Sequence, residues 1–274
     1  MTTVIEISGL LEKQLQLLVD IGLYSSKTEA VRDAIRRLLN AVNIADIAVN
    51  IYAQGKISLA YASELAEQPI PDFFIKLLGK GIAPKLISIS KNIDEVVENV
   101  DKKKTLIFDV SSLYSMYLSE TLSTFRKILT HMSKEKNIKT IAASETVLHL
   151  KFIELKRLIS FGHRSPALPL TVVNIDSNNL RKFKNKFLKE QCLTLAEIAS
   201  QYLAGKLNGV LITDDFKALE MADKVNIYAI STLTLLDYAK YYNMISNIEY
   251  LNAKERLSTL YSTAVGVGEY PWKT

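Results

Sequence analysis

Residues 105–109 read Thr-Leu-Ile-Phe-Asp, and residues 209–215 read Gly-Val-Leu-Ile-Thr-Asp-Asp. Both are short apolar runs that end on carboxylates. Runs of this kind, bounded by polar residues, suit strands buried on both faces of a parallel sheet. Comparable runs occupy 140–143, 171–175 and 227–230, and helical apolar spacing separates the candidates. Strands that alternate with helices build a parallel sheet, so the expected fold class over 104–260 is α/β with flanking helices. In such an open sheet the carboxyl ends of the strands meet at one edge, where ligands bind. Asp109, Asp214 and Asp215 fall at that edge, and Glu197 lies on the helical stretch Leu195-Ala196-Glu197-Ile198-Ala199. Gathered carboxylates repel one another unless a hard cation holds them, and Mg²⁺ or Mn²⁺ suits an all-oxygen site. A single Asp at a strand end is as readily a helix cap. Thr213-Asp214-Asp215 also suits the start of a helix over 216–221.

Composition narrows the function. A chain of 274 residues implies about two domains, and 48% apolar residues supply packed cores. The single cysteine, Cys192, excludes an intrachain disulfide framework and a cysteine-built zinc site. His131, His149 and His163 are too scattered for a histidine triad. No window approaches about 18 uncharged apolar residues, and the N-terminus lacks the basic-then-apolar order of a signal peptide. A cytoplasmic protein with no membrane partner is therefore expected.

The net charge of +5 is uneven, with −2 on residues 1–100 and +7 on the remainder. Basic residues crowd 151–189, among them Arg181, Lys182, Lys184 and Lys186. A basic stretch beside an acidic site suits a polyanionic substrate. Phe183 and Phe187 interleave the lysines at helical spacing, so the stretch equally suits the solvated face of an amphipathic helix.

The front of the chain reads strand, helix, helix. Val4-Ile5-Glu6-Ile7 forms a short strand, Leu11, Leu15, Leu18 and Val19 recur at helical spacing, and Gly22 stops that helix. Ser26-Lys27-Thr28-Glu29 is a capping box, followed by the stripe Val31, Ala34, Ile35 and Leu38. Elements this few cannot bury a core alone. A homodimer that pairs two strands through Val4, Ile5 and Ile7 is the physical solution. Short helices follow. One runs from Asn43 to Gln54, the next is capped by Ser58, and a third starts around Pro71. The domain reading is 1–41, 42–86, a linker with a short helix over 87–103, the sheet domain over 104–260, and a tail over 261–274.

Three stretches carry resemblances. Residues 2–40, with Gly22-Leu23-Tyr24-Ser25-Ser26-Lys27-Thr28-Glu29-Ala30-Val31-Arg32, resemble the ribbon-helix-helix domains of small prokaryotic regulators, which implies dimerisation and DNA as a partner. The residues that alternate along this strand include Glu6 and no Arg or Lys, which favours dimerisation over DNA reading. The string from Gln54 to Ala66, Gln-Gly-Lys-Ile-Ser-Leu-Ala-Tyr-Ala-Ser-Glu-Leu-Ala, resembles small helix-turn-helix antitoxins of archaea and bacteria.

Residues 104–260 resemble the PIN-domain nucleases of the VapC type, known from toxin-antitoxin pairs. The motifs are Leu106-Ile107-Phe108-Asp109-Val110-Ser111, Leu193-Thr194-Leu195-Ala196-Glu197-Ile198-Ala199 and Leu211-Ile212-Thr213-Asp214-Asp215-Phe216. The resemblance implies Mg²⁺ or Mn²⁺ held by Asp109, Glu197 and Asp215, with Asp214 a neighbouring candidate, and cleavage of RNA by water activated at the ion. Ser111, Arg181, Lys182, Lys184 and Lys186 would contact the nucleic acid. The family's further acid, early in the helix after the second strand, falls here on His149 or Leu150. That departure leaves a second expectation open: a PIN-like scaffold without catalysis, inside a nucleic-acid-binding or transcription-regulating dimer.

Overall fold

The computed structural model describes residues 6–86, 91–151, 168–187 and 192–264. The chain divides into two compact units, Met1–Ile47 and Ala48–Thr274.

The smaller unit carries α1 (Gly9–Asp20) and α2 (Lys27–Ala41). Gly22 ends α1 by taking φ +73°, a left-handed conformation that favours glycine, and the Gly22 and Leu23 N–H groups return to the carbonyls of Val19 and Leu18. Ser26 caps α2 by accepting from the Glu29 N–H at 3.2 Å. The Glu29 carboxylate accepts from the Ser25 N–H at 2.8 Å, so the reciprocal half of the capping box lands one residue early. No residue of α1 is buried, and Leu10, Leu11, Leu17, Ile21, Leu23 and Leu38 lie exposed. Val4 and Ile5 lie outside the described residues, while Glu6, Ile7 and Ser8 form no strand. A strand edge in a single chain has nothing to pair with, which accounts for the difference.

The larger unit begins within α3 (Ile44–Ala53) and continues through α4 (Leu59–Leu65), α5 (Ile70–Gly79) and α6 (Ile93–Lys103). The alternating part then runs β1 (Thr105–Phe108), α7 (Val110–Leu118), α8 (Leu122–Glu135), β2 (Lys139–Ala143), α9 (Ser144–Lys151), β3 (Thr171–Val173), α10 (Ser177–Phe187) and α11 (Leu195–Lys206). It closes with β4 (Val210–Ile212), α12 (Phe216–Lys224), β5 (Ala229–Ile230), α13 (Thr232–Tyr241) and α14 (Asn247–Ala264).

The strands form one parallel sheet in the order β3-β2-β1-β4-β5. Each lies where the apolar runs predict. From β1 the chain winds outward through β2 to β3, then returns to β4 on the other side of β1. The switch point is therefore the gap between β1 and β4, where Phe108 stands opposite Ile212. Asp109 follows β1 directly, and Thr213 to Asp215 follow β4, so the topology brings both acidic motifs to one crevice. Leu106, Ile107, Phe108, Val210, Leu211 and Ile212 are fully buried, as expected of central strands covered on both faces.

Close packing at the start of β4 depends on Gly209. A Cβ there would stand 2.3 Å from Ile107 Cδ1 and 3.0 Å from the Thr105 carbonyl oxygen. The isoleucine can swing away, but the backbone oxygen cannot. Gly209→Ala should therefore cost about 1–3 kcal/mol by overpacking, readable as a drop of roughly 3–10 °C in Tm. An unchanged Tm would show that β4 can shift off β1 without cost.

Helices α3 to α5 share the hydrophobic core of the sheet, with Val49, Tyr52, Phe73 and Leu77 buried alongside Leu106 and Val210. Ser58 caps α4 by accepting from the Tyr61 N–H at 3.1 Å, and Pro71 sits in the first turn of α5, both as the sequence predicts. In the stretch read as a linker with a short helix, α6 buries Val96 and Val100, and Asp101 accepts hydrogen bonds from Tyr238 at 2.5 Å and from Tyr242. Among the described residues no helix is long and apolar enough to cross a membrane.

Candidate active site

Asp109 occupies the N-cap position of α7, yet its carboxylate makes no capping bond. Its Oδ2 accepts instead from the Ser111 hydroxyl at 3.1 Å and the Thr213 hydroxyl at 3.0 Å. Ser111 Oγ also accepts from the N–H groups of Asp214 at 3.0 Å and Asp215 at 3.2 Å. This one hydroxyl ties the end of β1 to the end of β4 and fixes the rotamer of Asp109. Ser111 is buried, with its hydroxyl on the Asp109 carboxylate.

The two neighbouring aspartates separate in role. Asp214 Oδ1 accepts from the Thr232 N–H at 2.7 Å and Oδ2 from its hydroxyl at 2.6 Å, at the start of α13. Asp215 caps α12, with Oδ1 accepting from Lys217 N–H at 2.8 Å and Ala218 N–H at 3.0 Å. Its Oδ2 accepts from the Leu59 N–H at 2.8 Å. Capping and clustering are thus not alternatives for Asp215. The cap is what holds its carboxylate at the sheet edge.

Glu197 is placed the same way. It is the third residue of α11 in a capping box with Thr194: Thr194 Oγ1 accepts from the Glu197 N–H at 3.2 Å, and Glu197 Oε2 accepts from the Thr194 N–H at 2.7 Å. The same Oε2 takes the Thr194 hydroxyl at 2.9 Å and the Ser58 hydroxyl at 2.7 Å. Oε1 is left over. Among the described residues it has no hydrogen-bond partner, and neither does Asp109 Oδ1.

Asp109, Glu197 and Asp215 are each about 1% exposed and close enough to repel one another. Burial pushes Asp109 up to about 6, and the Asp215 charge adds to that, while the Val110 N–H and the Thr213 and Ser111 hydroxyls oppose it. Burial likewise raises Asp215 to about 6, against donors from Leu59, Ala218 and Lys217. Glu197 is raised well above the usual carboxylate range, first by burial and then by the charges of Asp109 and Asp215. These acids therefore come together from three elements, in the set expected for a metal. They are not a preformed cage: among the described residues no three His, Cys, Asp or Glu side chains are arranged to hold an ion. The hydrogen bonds give the reason, since both oxygens of Asp215 are engaged by N–H donors.

The basic helix α10 packs its apolar side inward through Leu180, and Phe183 meets Tyr202 of α11 edge-on at 5.6 Å. Arg181 and Lys182 point to solvent, Lys184 is half-buried, and the side chain of Lys186 lies outside the described residues. At the position of the family's further acid, Leu150 is buried, and His149 is half-buried with burial pushing its imidazole pKa down. Glu145 is half-buried and pairs with the neighbouring Ser144 hydroxyl at 3.0 Å.

Ser58 and Leu59 are the site residues that sequence reading misses. Ser58 is legible as a helix cap, but its partner Glu197 lies 139 positions on and that of Leu59 lies 156 positions on, so no local signal announces either contact. Comparison of the chain with protein-family models, with curated proteins and with solved structures finds no match.

Proposed function

We propose that the protein is a metal-dependent, RNA-cleaving endonuclease of the PIN type, whose front half is an antitoxin-like dimerising region acting in cis. The observation that carries this reading is the convergence of Asp109, Glu197 and Asp215 at the switch point of a parallel sheet, buried and mutually repelling. Isolated buried carboxylates are costly and need a compensating charge or protons. Two of their oxygens, Asp109 Oδ1 and Glu197 Oε1, have no hydrogen-bond partner among the described residues, which fits an oxygen-ligated Mg²⁺ or Mn²⁺ that keeps most of its waters. Once bound there, such an ion supplies Lewis acidity for a scissile phosphate and lowers the pKa of water.

The chain's own residues divide the remaining work. Ser111 and Thr213 hold Asp109 in one rotamer, and Thr194 holds Glu197, so the donor atoms need little reorganisation. Burial and the charges of Asp109 and Asp215 favour the neutral form of Glu197 when no cation is present. Arg181 and Lys182, open to solvent, suit phosphate contacts.

A second reading is a catalytically degenerate scaffold in a nucleic-acid-binding or transcription-regulating dimer. Two observations favour it: Leu150 and His149 stand where the family has an acid, and the three carboxylates are sealed from solvent. Incubation of the full chain with single-stranded RNA and, separately, single-stranded DNA in Mn²⁺ decides between the two. The nuclease reading expects RNA cleavage that disappears with chelator. Intact RNA and DNA, with binding retained, would leave the scaffold.

The exposed apolar side chains of α1 and α2 support a homodimer through residues 2–40. Light scattering at micromolar concentration should give twice the chain mass, and deletion of residues 1–40 should lower it to one. A full-length monomer would remove the dimer. DNA as a partner of this region draws no support from the residues expected to form its strand, which include Glu6 and no cation.

A further inference from the structure

Two of the donors on the acidic cluster come from the front of the chain. Ser58 Oγ donates to Glu197 Oε2 at 2.7 Å, and the Leu59 N–H donates to Asp215 Oδ2 at 2.8 Å. Ser58 is itself clamped, its N–H bonded to the Cys192 carbonyl at 2.9 Å, just ahead of the Glu197 helix. On the far side Leu86 forms an antiparallel bridge with Asp215, and the Phe216 N–H bonds the Lys85 carbonyl at 3.3 Å. Residues 48–86 therefore hold the carboxylates of Glu197 and Asp215 at Ser58 and Leu59 and the backbone of Asp215 and Phe216 at the other end, and Ser58 is fully buried in the process.

Lone pairs set the limit on what else these carboxylates can bind. Asp215 Oδ1 already serves two N–H groups as the α12 cap, so Oδ2 is its one oxygen available to a cation, and Leu59 occupies it. Glu197 Oε2 serves three donors, one of them Ser58. An oxygen directed at a buried N–H or O–H at this distance has little left for an ion on the same side. The oxygens without partners, Asp109 Oδ1 and Glu197 Oε1, are those that the front segment does not reach.

We infer that the start of α4 is a displaceable plug: the Ser58 hydroxyl and the Leu59 N–H stand in for a divalent cation on Glu197 and Asp215, and full cation binding requires them to withdraw. The inference rests on the nuclease reading, because it presumes that the carboxylates take a cation. Plug and cation then compete for one site. The apparent affinity for the ion is its affinity for the open form multiplied by the fraction of chains that are open. Weakening the plug must tighten the ion.

Two substitutions weaken it in different ways. Ser58→Ala deletes the hydroxyl. Leu59→Pro deletes the N–H where proline is tolerated, at the first helical position, and Ser58 at φ −70°, ψ 161° already has the extended backbone that a residue before proline needs. Mn²⁺ is titrated into full-length wild type and both variants by calorimetry. Amide hydrogen exchange over residues 57–66 is followed in wild type with and without the ion. Each lost bond to a carboxylate should tighten Mn²⁺ by roughly tenfold or more, and saturating Mn²⁺ should speed exchange in 57–66 of the wild type. Equal Mn²⁺ affinity in wild type and Ser58→Ala, with exchange unchanged by the ion, overturns the plug and leaves the cation site standing. No Mn²⁺ binding by any of the three overturns the plug together with the nuclease reading. If Leu59→Pro fails to fold, Ser58→Ala and the wild-type exchange still separate these outcomes.

Discussion

Asp109→Asn should abolish Mn²⁺-dependent cleavage while leaving the protein folded. The carboxylate makes no side-chain capping bond, so α7 does not depend on it for a cap. Its Oδ2 accepts from Ser111 and Thr213, and an asparagine with its carbonyl turned that way keeps both bonds. What is lost is the anionic oxygen at Oδ1, which has no hydrogen-bond partner among the described residues and lies among two other carboxylates. In the nuclease reading that oxygen is a cation ligand. Its removal takes away several kcal/mol of transition-state stabilisation, a loss on the order of 10³-fold or more in rate. Initial rates on single-stranded RNA, with circular dichroism and Tm measured on the same preparation, check this. Cleavage by Asp109→Asn at the wild-type rate would place the chemistry elsewhere. Asp214→Asn serves as the contrast: both of its oxygens are engaged by Thr232, so its effect should fall on Tm before rate.

The sheet and its acidic edge are legible in the sequence because both depend on local pattern. A short apolar run that ends in Asp reads as a buried strand pointing at a carboxylate, and β1 and β4 take that form. The shorter extent of β3 and β5 is not legible, since edge pairing depends on the neighbouring strand rather than on the run itself. Asp214 and Asp215 look alike in sequence. The direction of each side chain is set by its backbone conformation and by which N–H groups α12 and α13 present. Thr194-Leu195-Ala196-Glu197 is a capping box in plain sight, and it explains how a glutamate on a helix is aimed at the sheet edge. The placement of residues 48–86 lies beyond such reading. Local pattern sets their helices apart as a module between a dimerising front and the sheet domain, and it marks their caps. Only packing of Tyr52, Phe73 and Leu77 into the sheet's core brings Ser58 to Glu197. A contact across 139 residues is decided by that packing and leaves no trace in the stretch around Ser58.

Stability should carry the signature of the same three acids, in a direction opposite to that of salt-bridged carboxylates. In the unfolded chain Asp109 and Asp215 lose their protons near pH 4, whereas in the folded protein burial holds those protons up to about 6. Between these values the native state binds more protons than the unfolded one, so the stability they contribute at low pH is lost as pH rises through that window. Other groups work the opposite way: Asp33, Glu220 and Glu249 have lowered values and gain with rising pH. Absolute Tm therefore mixes both effects, and a difference between two proteins isolates the site. The Tm of Asp109→Asn minus that of wild type, in metal-free buffer, should grow between pH about 4 and about 6 by roughly 5 °C and stay level above. The asparagine has no proton to lose, while wild type must bury a charge beside Asp215. Mn²⁺ at pH 7.5 should then raise the wild-type Tm and leave that of Asp109→Asn in place, because a cation that binds only the folded state stabilises it. A difference in Tm that does not change with pH would mean that water reaches these carboxylates in solution, and that neither a proton nor a cation is needed to keep them in the fold.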